Sequence, residues 1–168
     1  MKKLFLLLLM VVAFCGSAGA QKGMQGIGFD LSICGQKDVA FGGSVKYHYN
    51  ISDYVRFEPI VSFFKVEEKD NYQMTALTNL HFFFSRPKVA RPYLYLGAGL
   101  LQFKNIHGYG DDDLDSVFGV NGGLGLDWRV THNLSLQFEA GALAGFGDDG
   151  DDYYGGAFRV NVGMCYNF

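Results

Sequence analysis

The chain closes on Arg159-Val160-Asn161-Val162-Gly163-Met164-Cys165-Tyr166-Asn167-Phe168. Every second residue (Val160, Val162, Met164, Tyr166, Phe168) is apolar, and its neighbours are polar or small. A period of two describes a β-strand with one apolar and one wet face. As the last strand of an open sheet in water, this segment would be an exposed edge that templates aggregation. Pairing with the first strand of the same sheet removes that edge. The stretch therefore predicts a closed barrel.

The other end of the chain reads as a secretory signal. Lys2 and Lys3 precede the apolar run Leu4–Phe14, and Ala18-Gly19-Ala20 offers a small-residue cleavage site before Gln21. The run is shorter than the roughly 20 residues of a membrane helix. Cys15 opens a lipoprotein alternative, which Phe14 disfavours because that processing wants a small residue before the cysteine. Residues 1–20 are therefore expected to be a removable leader and 21–168 a single domain.

That domain would have 148 residues, 168 less 20, with 12 basic side chains against 17 acidic ones and a net charge of −5. An acidic chain is a poor ligand for nucleic acid, whose binding rests on basic patches. The sequence is 49% hydrophobic, yet beyond residue 20 it has no apolar run long enough for a membrane helix. If it crosses a bilayer it does so by strands, since lipid-exposed backbone must satisfy its own hydrogen bonds. The 23 glycines and 16% aromatics suit strands, turns and aromatic girdles, and with 3 prolines strands are rarely interrupted.

Eight alternating segments follow one another: about Met24–Cys34, Val39–Ile51, Tyr54–Val66, Tyr72–Phe84, Tyr93–Phe103, Val117–Val130, Leu134–Gly145 and Tyr153–Phe168. Turn residues separate them, among them Gly35–Asp38, Ser52-Asp53 and Thr131–Asn133. The stretch Ser85–Pro92, with two prolines, reads as a turn. Segments of this length cross a bilayer when tilted, about 9–11 residues being needed. The predicted fold is an all-β, eight-stranded, antiparallel, up-and-down transmembrane barrel. Connections after the second, fourth and sixth strands should be periplasmic. The longest, Lys104–Ser116 and Phe146–Asp152, should be outside, as in outer-membrane barrels.

Alternation sends Asp30, Lys46, Arg56, Glu58, Asp127, Arg129, Glu139 and Arg159 inward, four acids and four bases. A Lys or Arg facing lipid at mid-depth costs about 2–4 kcal/mol, whereas inward charges can pair. Symmetric hairpins would set Lys46 opposite Glu58 and Glu139 opposite Arg159. With Phe64, Leu77, Phe83, Tyr93 and Tyr95 also inward, the interior should be filled by side chains, as an eight-stranded barrel allows, and porin-like conduction is not expected.

Eight aspartates fall in two outer stretches, Asp111, Asp112, Asp113 and Asp115, and Asp148, Asp149, Asp151 and Asp152. Carboxylates bind Ca²⁺ well, but the spacing is not that of a calcium loop. A solvated acidic surface, bridged loosely by divalent ions to lipopolysaccharide, is the favoured reading. Tyr109, Phe146, Tyr153 and Tyr154 flank these stretches as an outer girdle or, alternatively, an adhesive patch. His48 and His81 read as interior polar residues. His132 lies near Ser135 and His107 near acids, but neither makes a nucleophile, base and orienting acid. No catalytic, cofactor-binding or metal residue is nominated, and no cofactor. Cys34 and Cys165, both inward at opposite ends of adjoining strands, should be free buried thiols, too far apart for a disulfide.

The leader ending Ala18-Gly19-Ala20, the segment Gly122-Gly123-Leu124-Gly125-Leu126-Asp127-Trp128-Arg129-Val130-Thr131-His132-Asn133-Leu134-Ser135-Leu136 and the closing Phe158–Phe168 together resemble the small eight-stranded outer-membrane barrels. These are the OmpX and OmpA-barrel type and the porin-like barrels of Bacteroidetes. The resemblance implies an outer-membrane location, export across the inner membrane, and recognition of the last strand and Phe168 by the assembly machinery. It also implies contact with lipid and lipopolysaccharide, and a monomer. Members serve in adhesion, envelope integrity or host interaction. No peptidoglycan-binding domain is expected after the barrel. The expected function is a non-enzymatic envelope-structural or surface-interaction protein, possible extracellular partners meeting the outer loops. Two rivals are a lipid-modifying barrel enzyme and a soluble lipocalin-like binder, the latter requiring the apolar face inside.

Overall fold

The computed structural model describes residues 22–35, 39–66, 72–86, 89–104, 114–146 and 153–168. Eight strands run in chain order: β1 (Gln25–Gly35), β2 (Val39–Asn50), β3 (Val55–Val66), β4 (Tyr72–Phe83), β5 (Ala90–Lys104), β6 (Leu114–Arg129), β7 (Leu134–Phe146) and β8 (Tyr153–Asn167). Each pairs antiparallel with its neighbour, and β1 pairs with β8 to close the barrel. Phe29 lies opposite Met164, and Leu31 opposite Val162. The closing strand thus presents no edge, and its alternation continues directly into that of β1.

The alternation sorts side chains by polarity in the sense opposite to a water-soluble protein. Outward residues are apolar and exposed: Phe29, Leu31, Phe63, Leu96, Leu124 and Phe158 are examples, Leu31 at 77%. Inward residues are polar and buried: Asp30, Lys46, Arg56, Glu58, Asp127, Glu139 and Arg159 are all under 5% exposed. This is the arrangement for which lipid is the outer solvent, and it is the reverse of the lipocalin polarity.

The strands depart from the expected bounds where prolines were read as breaks. β5 begins at Ala90, so Arg91 and Pro92 are strand residues, opposite Asp127 and Leu126. Arg91 is therefore an inward, buried charge. Arg129, expected inward, sits half-buried at the end of β6, so Arg91 takes its place in the set of four bases. Pro59 stands within β3, where it has no N–H to donate, and the β2–β3 pairing skips from Lys46–Ile60 to Tyr49–Phe57 beside it. An open, mostly apolar groove of about 510 Å³ lies there, lined by Tyr47, Pro59, Val61 and Ala76 among others.

The strand ends joined through 51–54, 84–89 and 130–133 lie at one end of the barrel; those joined through 36–38, 67–71, 105–113 and 147–152 lie at the other. Because β5 and β6 reach further than expected, the loop after β5 shrinks to 105–113, and 84–89 is as long as 147–152, six residues each. The asymmetry of loop lengths thus rests on 105–113. At the other end the turns are held by side chains. Ser52 Oγ accepts from the N–H groups of Tyr54 and Val55. Thr131 Oγ1 accepts from that of Leu134. Such bonds are why Ser and Thr favour turns.

The lumen is stratified. Towards the 105–113 end, Ile60, Leu77, Leu101, Val117 and Leu143 form one apolar cluster, and Cys34, Ala40 and Phe64 a second. Charged and polar side chains fill the middle and the opposite end, where Phe83, Tyr93 and Tyr95 form an aromatic group. As expected from sequence, Phe64, Leu77, Phe83, Tyr93 and Tyr95 are inside.

Candidate functional site

The chemistry of this molecule is concentrated in the lumen, in three groups. The first lies at the short-turn end. Asp127 Oδ2 accepts from Arg56 Nη2 at 2.8 Å and from Arg91 Nη2 at 2.9 Å. Both guanidinium groups stack on the Phe83 ring, at 4.8 and 4.0 Å from its centroid, and Arg56 Nε donates to Asn50 Oδ1. Two cations on one carboxylate are tolerable in low dielectric because the aromatic face and the Asn50 oxygen add to the neutralisation.

The second group joins strands that are not neighbours. Cys165 Sγ lies 3.0 Å from His48 Nδ1, and His48 Nε2 lies 2.8 Å from Asn167 Oδ1. Asn167 Nδ2 donates to the Asn133 carbonyl, so its Oδ1 is left to accept. Nε2 of His48 therefore carries the proton and Nδ1 presents a lone pair to the thiol. His48 is on β2 and Cys165 on β8, with β1 between them. They meet because β1 has glycine there: Gly26 is opposite both His48 and Asn167, and Gly28 is opposite Cys165. A Cβ on Gly26 would collide with the His48 ring and come within 2.8 Å of the Tyr166 carbonyl oxygen. Gly26→Ala should thus destabilise the barrel by about 1–3 kcal/mol, the cost of overpacking. Gly35→Ala, where an added Cβ meets nothing within 4 Å, should be near neutral. Urea unfolding midpoints of the detergent-folded variants check this, and equal midpoints would contradict the crowding.

The order nucleophile, base, orienting amide is that of a cysteine-hydrolase triad. Sequence reading missed it because His48 and Cys165 are 117 positions apart. Its thiol is wholly buried in the lumen, on the face opposite the lipid. Cys34 and Cys165 are both free, as expected, and Cys34 sits opposite Arg159 rather than near Cys165.

The third group is at mid-barrel. Lys46 Nζ pairs with Asp30 at 2.8 Å and reaches Glu58 Oε1 only at 4.0 Å. The expected partner was Glu58, but the β2–β3 register places Lys46 opposite Ile60, two residues further on. The same two-residue offset sets Glu139 opposite Asn161, and Arg159 opposite Gly141. Glu139 accepts from the Tyr93 hydroxyl at 2.7 Å and from Asn161 Nδ2 at 2.8 Å, in place of the expected pair with Arg159. His81 Nε2 lies 3.4 Å from Glu58 Oε1, and its ring stacks on Tyr93 at 4.6 Å. One atom each from Glu58, His81 and Glu139 lies within 4.8 Å of the others, all buried. This is the one grouping among the described residues with the composition of a metal site.

His132 is exposed in the 130–133 connection, while Ser135 points inward. His107, Tyr109 and the aspartates at 111–113 and 148–152 lie outside the described residues, as do the side chains of Asp115, Tyr153 and Tyr154. Phe146 is exposed at the loop end of β7.

A family model described as "Outer membrane protein beta-barrel domain" matches residues 5–168. No curated protein matches the sequence. Neisserial surface protein A superposes with a TM-score of 0.70 at 17% identity, over 90% of this chain and 100% of that one. The N-terminal barrel domain of Pseudomonas aeruginosa OprF gives 0.56 at 20% identity, over 85% and 97%. OprG of Pseudomonas aeruginosa gives 0.57 at 14% identity, over 89% and 98%. These likenesses are of fold.

Proposed function

Since the chain belongs to the outer membrane protein β-barrel domain family and resides in the outer membrane, we propose that it is a non-enzymatic barrel with an envelope-structural or surface-interaction role. The observation that carries this reading is the stratified lumen. An apolar cluster across one half and an Arg–Asp–Arg group under an aromatic layer at the other end leave the loops as the surface open to partners. The thiol of the Cys165–His48–Asn167 group faces the lumen, where a lipid carbonyl has no access, which speaks against a lipid-modifying enzyme.

In this reading residues 1–20 are a signal removed after Ala20, and the strand ending at Phe168 is the segment presented to the assembly machinery. Connections 105–113 and 147–152 face outward, their aspartates bridged by divalent ions to lipopolysaccharide. The barrel acts as a monomer. The test replaces 105–113 and 147–152 with glycine–serine linkers and compares binding of whole cells to host-type surfaces. Loss of binding with the folded barrel retained is expected. Porin-sized conductance of the purified protein in planar bilayers, or lipid hydrolysis lost in Cys165→Ser, would overturn the reading.

A further inference from the structure

We propose that Glu58, His81 and Glu139 bind one divalent first-row metal ion, of the zinc, iron(II) and manganese(II) class, which braces β3 and β4 to β7 across the lumen. Three observations carry this. The first is unsatisfied polarity. Glu58 Oε2 and His81 Nδ1 have no hydrogen-bond partner, Glu58 Oε1 and His81 Nε2 face each other at 3.4 Å with Lys46 Nζ at 4.0 Å from the former, and both side chains are wholly buried. Buried polar atoms are almost always partnered, and unpartnered ones that converge on one point call for an ion or water.

The second is charge. Asp30 is matched by Lys46, and Asp127 by two arginines. Glu58, Glu139 and the buried Arg159 remain, and Arg159 forms no ion pair with either glutamate. Among the described residues, the one Lys or Arg nitrogen within 4.0 Å of either is Lys46 Nζ, at the limit of that range from Glu58 and already engaged by Asp30. Two carboxylates held together in low dielectric call for a cation between them.

The third is geometry. With zinc–nitrogen and zinc–oxygen bonds of about 2.1 Å, tetrahedral ligand atoms stand roughly 3.4 Å apart. His81 Nε2 and Glu58 Oε1 already have that separation, 3.4 Å, and Glu139 completes the set within 4.8 Å. An outer layer is in place. The Tyr93 hydroxyl and Asn161 amide fix the Glu139 carboxylate, and the Tyr93 ring fixes His81. Such partners orient ligands in established metal sites. The mixed donor set selects the metal class: an imidazole argues against Ca²⁺ and Mg²⁺, and no thiolate joins the group to favour Cu(I).

The mature chain is refolded from urea into detergent micelles with equimolar Zn²⁺. It is then desalted through EDTA to strip ions held by loop aspartates, and its zinc is measured by elemental analysis. Folding of every sample is monitored by gel mobility. About one zinc per barrel is expected for wild type, with at least about tenfold less for His81→Gln and Glu139→Gln, and weakened retention for Tyr93→Phe. The unfolding midpoint should rise with zinc in wild type alone. If the variants fail to fold, wild type refolded with Co²⁺ decides by itself. The intense visible absorption of a tetrahedral site is expected, and the pale spectrum of hydrated cobalt would overturn the proposal. A zinc-free wild type would overturn it too. So would equal zinc in wild type and folded variants.

Discussion

Replacing Asp127 by alanine should cost the barrel about 3–5 kcal/mol, the penalty for breaking a buried ion pair from one side. The loss exceeds that of an ordinary salt bridge because one carboxylate oxygen serves both Arg56 and Arg91. Its removal leaves two guanidinium groups buried against Phe83 with one fixed acceptor, Asn50 Oδ1, on Arg56. Part of the loss should return in the double variant Asp127→Ala, Arg91→Met, which deletes the cation left without an acceptor and keeps its volume. Urea unfolding of the micelle-folded protein measures both, with Trp128, the one tryptophan of the chain, as the fluorescent reporter on the lipid face. A loss below about 1 kcal/mol, the size of a surface pair, would show that the group is hydrated rather than sealed.

Arginine in place of Leu31 should be nearly as damaging, for the opposite reason. Among the described residues Leu31 is the most exposed of the large apolar side chains, at 77%, near the middle of β1 and opposite Val162 of β8. At the surface of a protein in water such a change is close to neutral. In a bilayer it should cost about 2–4 kcal/mol, because the charge sits at mid-depth. Val39→Arg, at the first residue of β2 and also outward, should cost about 0–1 kcal/mol by the same depth dependence. Reversible unfolding from lipid vesicles compares the two, and equal costs would mean that the belt is not in lipid where it is placed here.

The faces of the strands were legible from alternation alone, down to β5, where Leu94, Leu96 and Leu100 outside imply Tyr93 and Tyr95 inside. Alternation has a period of two, so an offset of two residues leaves every face unchanged. For that reason the inward positions of Lys46 and Glu139 were readable, while their partners, Asp30 for one and Tyr93 with Asn161 for the other, were not. Pro92 misled for a local reason. It lacks an N–H and reads as a break, yet it faces outward on an extended β5 and brings Arg91 to Asp127.

The groups of greatest chemical interest had the weakest trace in the sequence. His48 and Cys165 meet because Gly26 and Gly28 leave the intervening strand bare, and a glycine in a strand carries no mark of what it makes room for. Glu58, His81 and Glu139 converge only once the barrel is closed, since β7 reaches β3 and β4 across the lumen and never pairs with them. Closure also explains why the final strand mattered most. Its alternation predicts a missing neighbour, and β1 supplies it.

The most direct test of an apolar-out, polar-in closed barrel is the mobility of residues 21–168, folded in detergent, on a gel with and without boiling. A closed barrel of this polarity resists the gel detergent and runs faster unboiled, with β-rich circular dichroism that boiling abolishes. A protein that stays soluble without detergent and runs alike in both lanes would contradict the account, for its apolar face would then have to be inside.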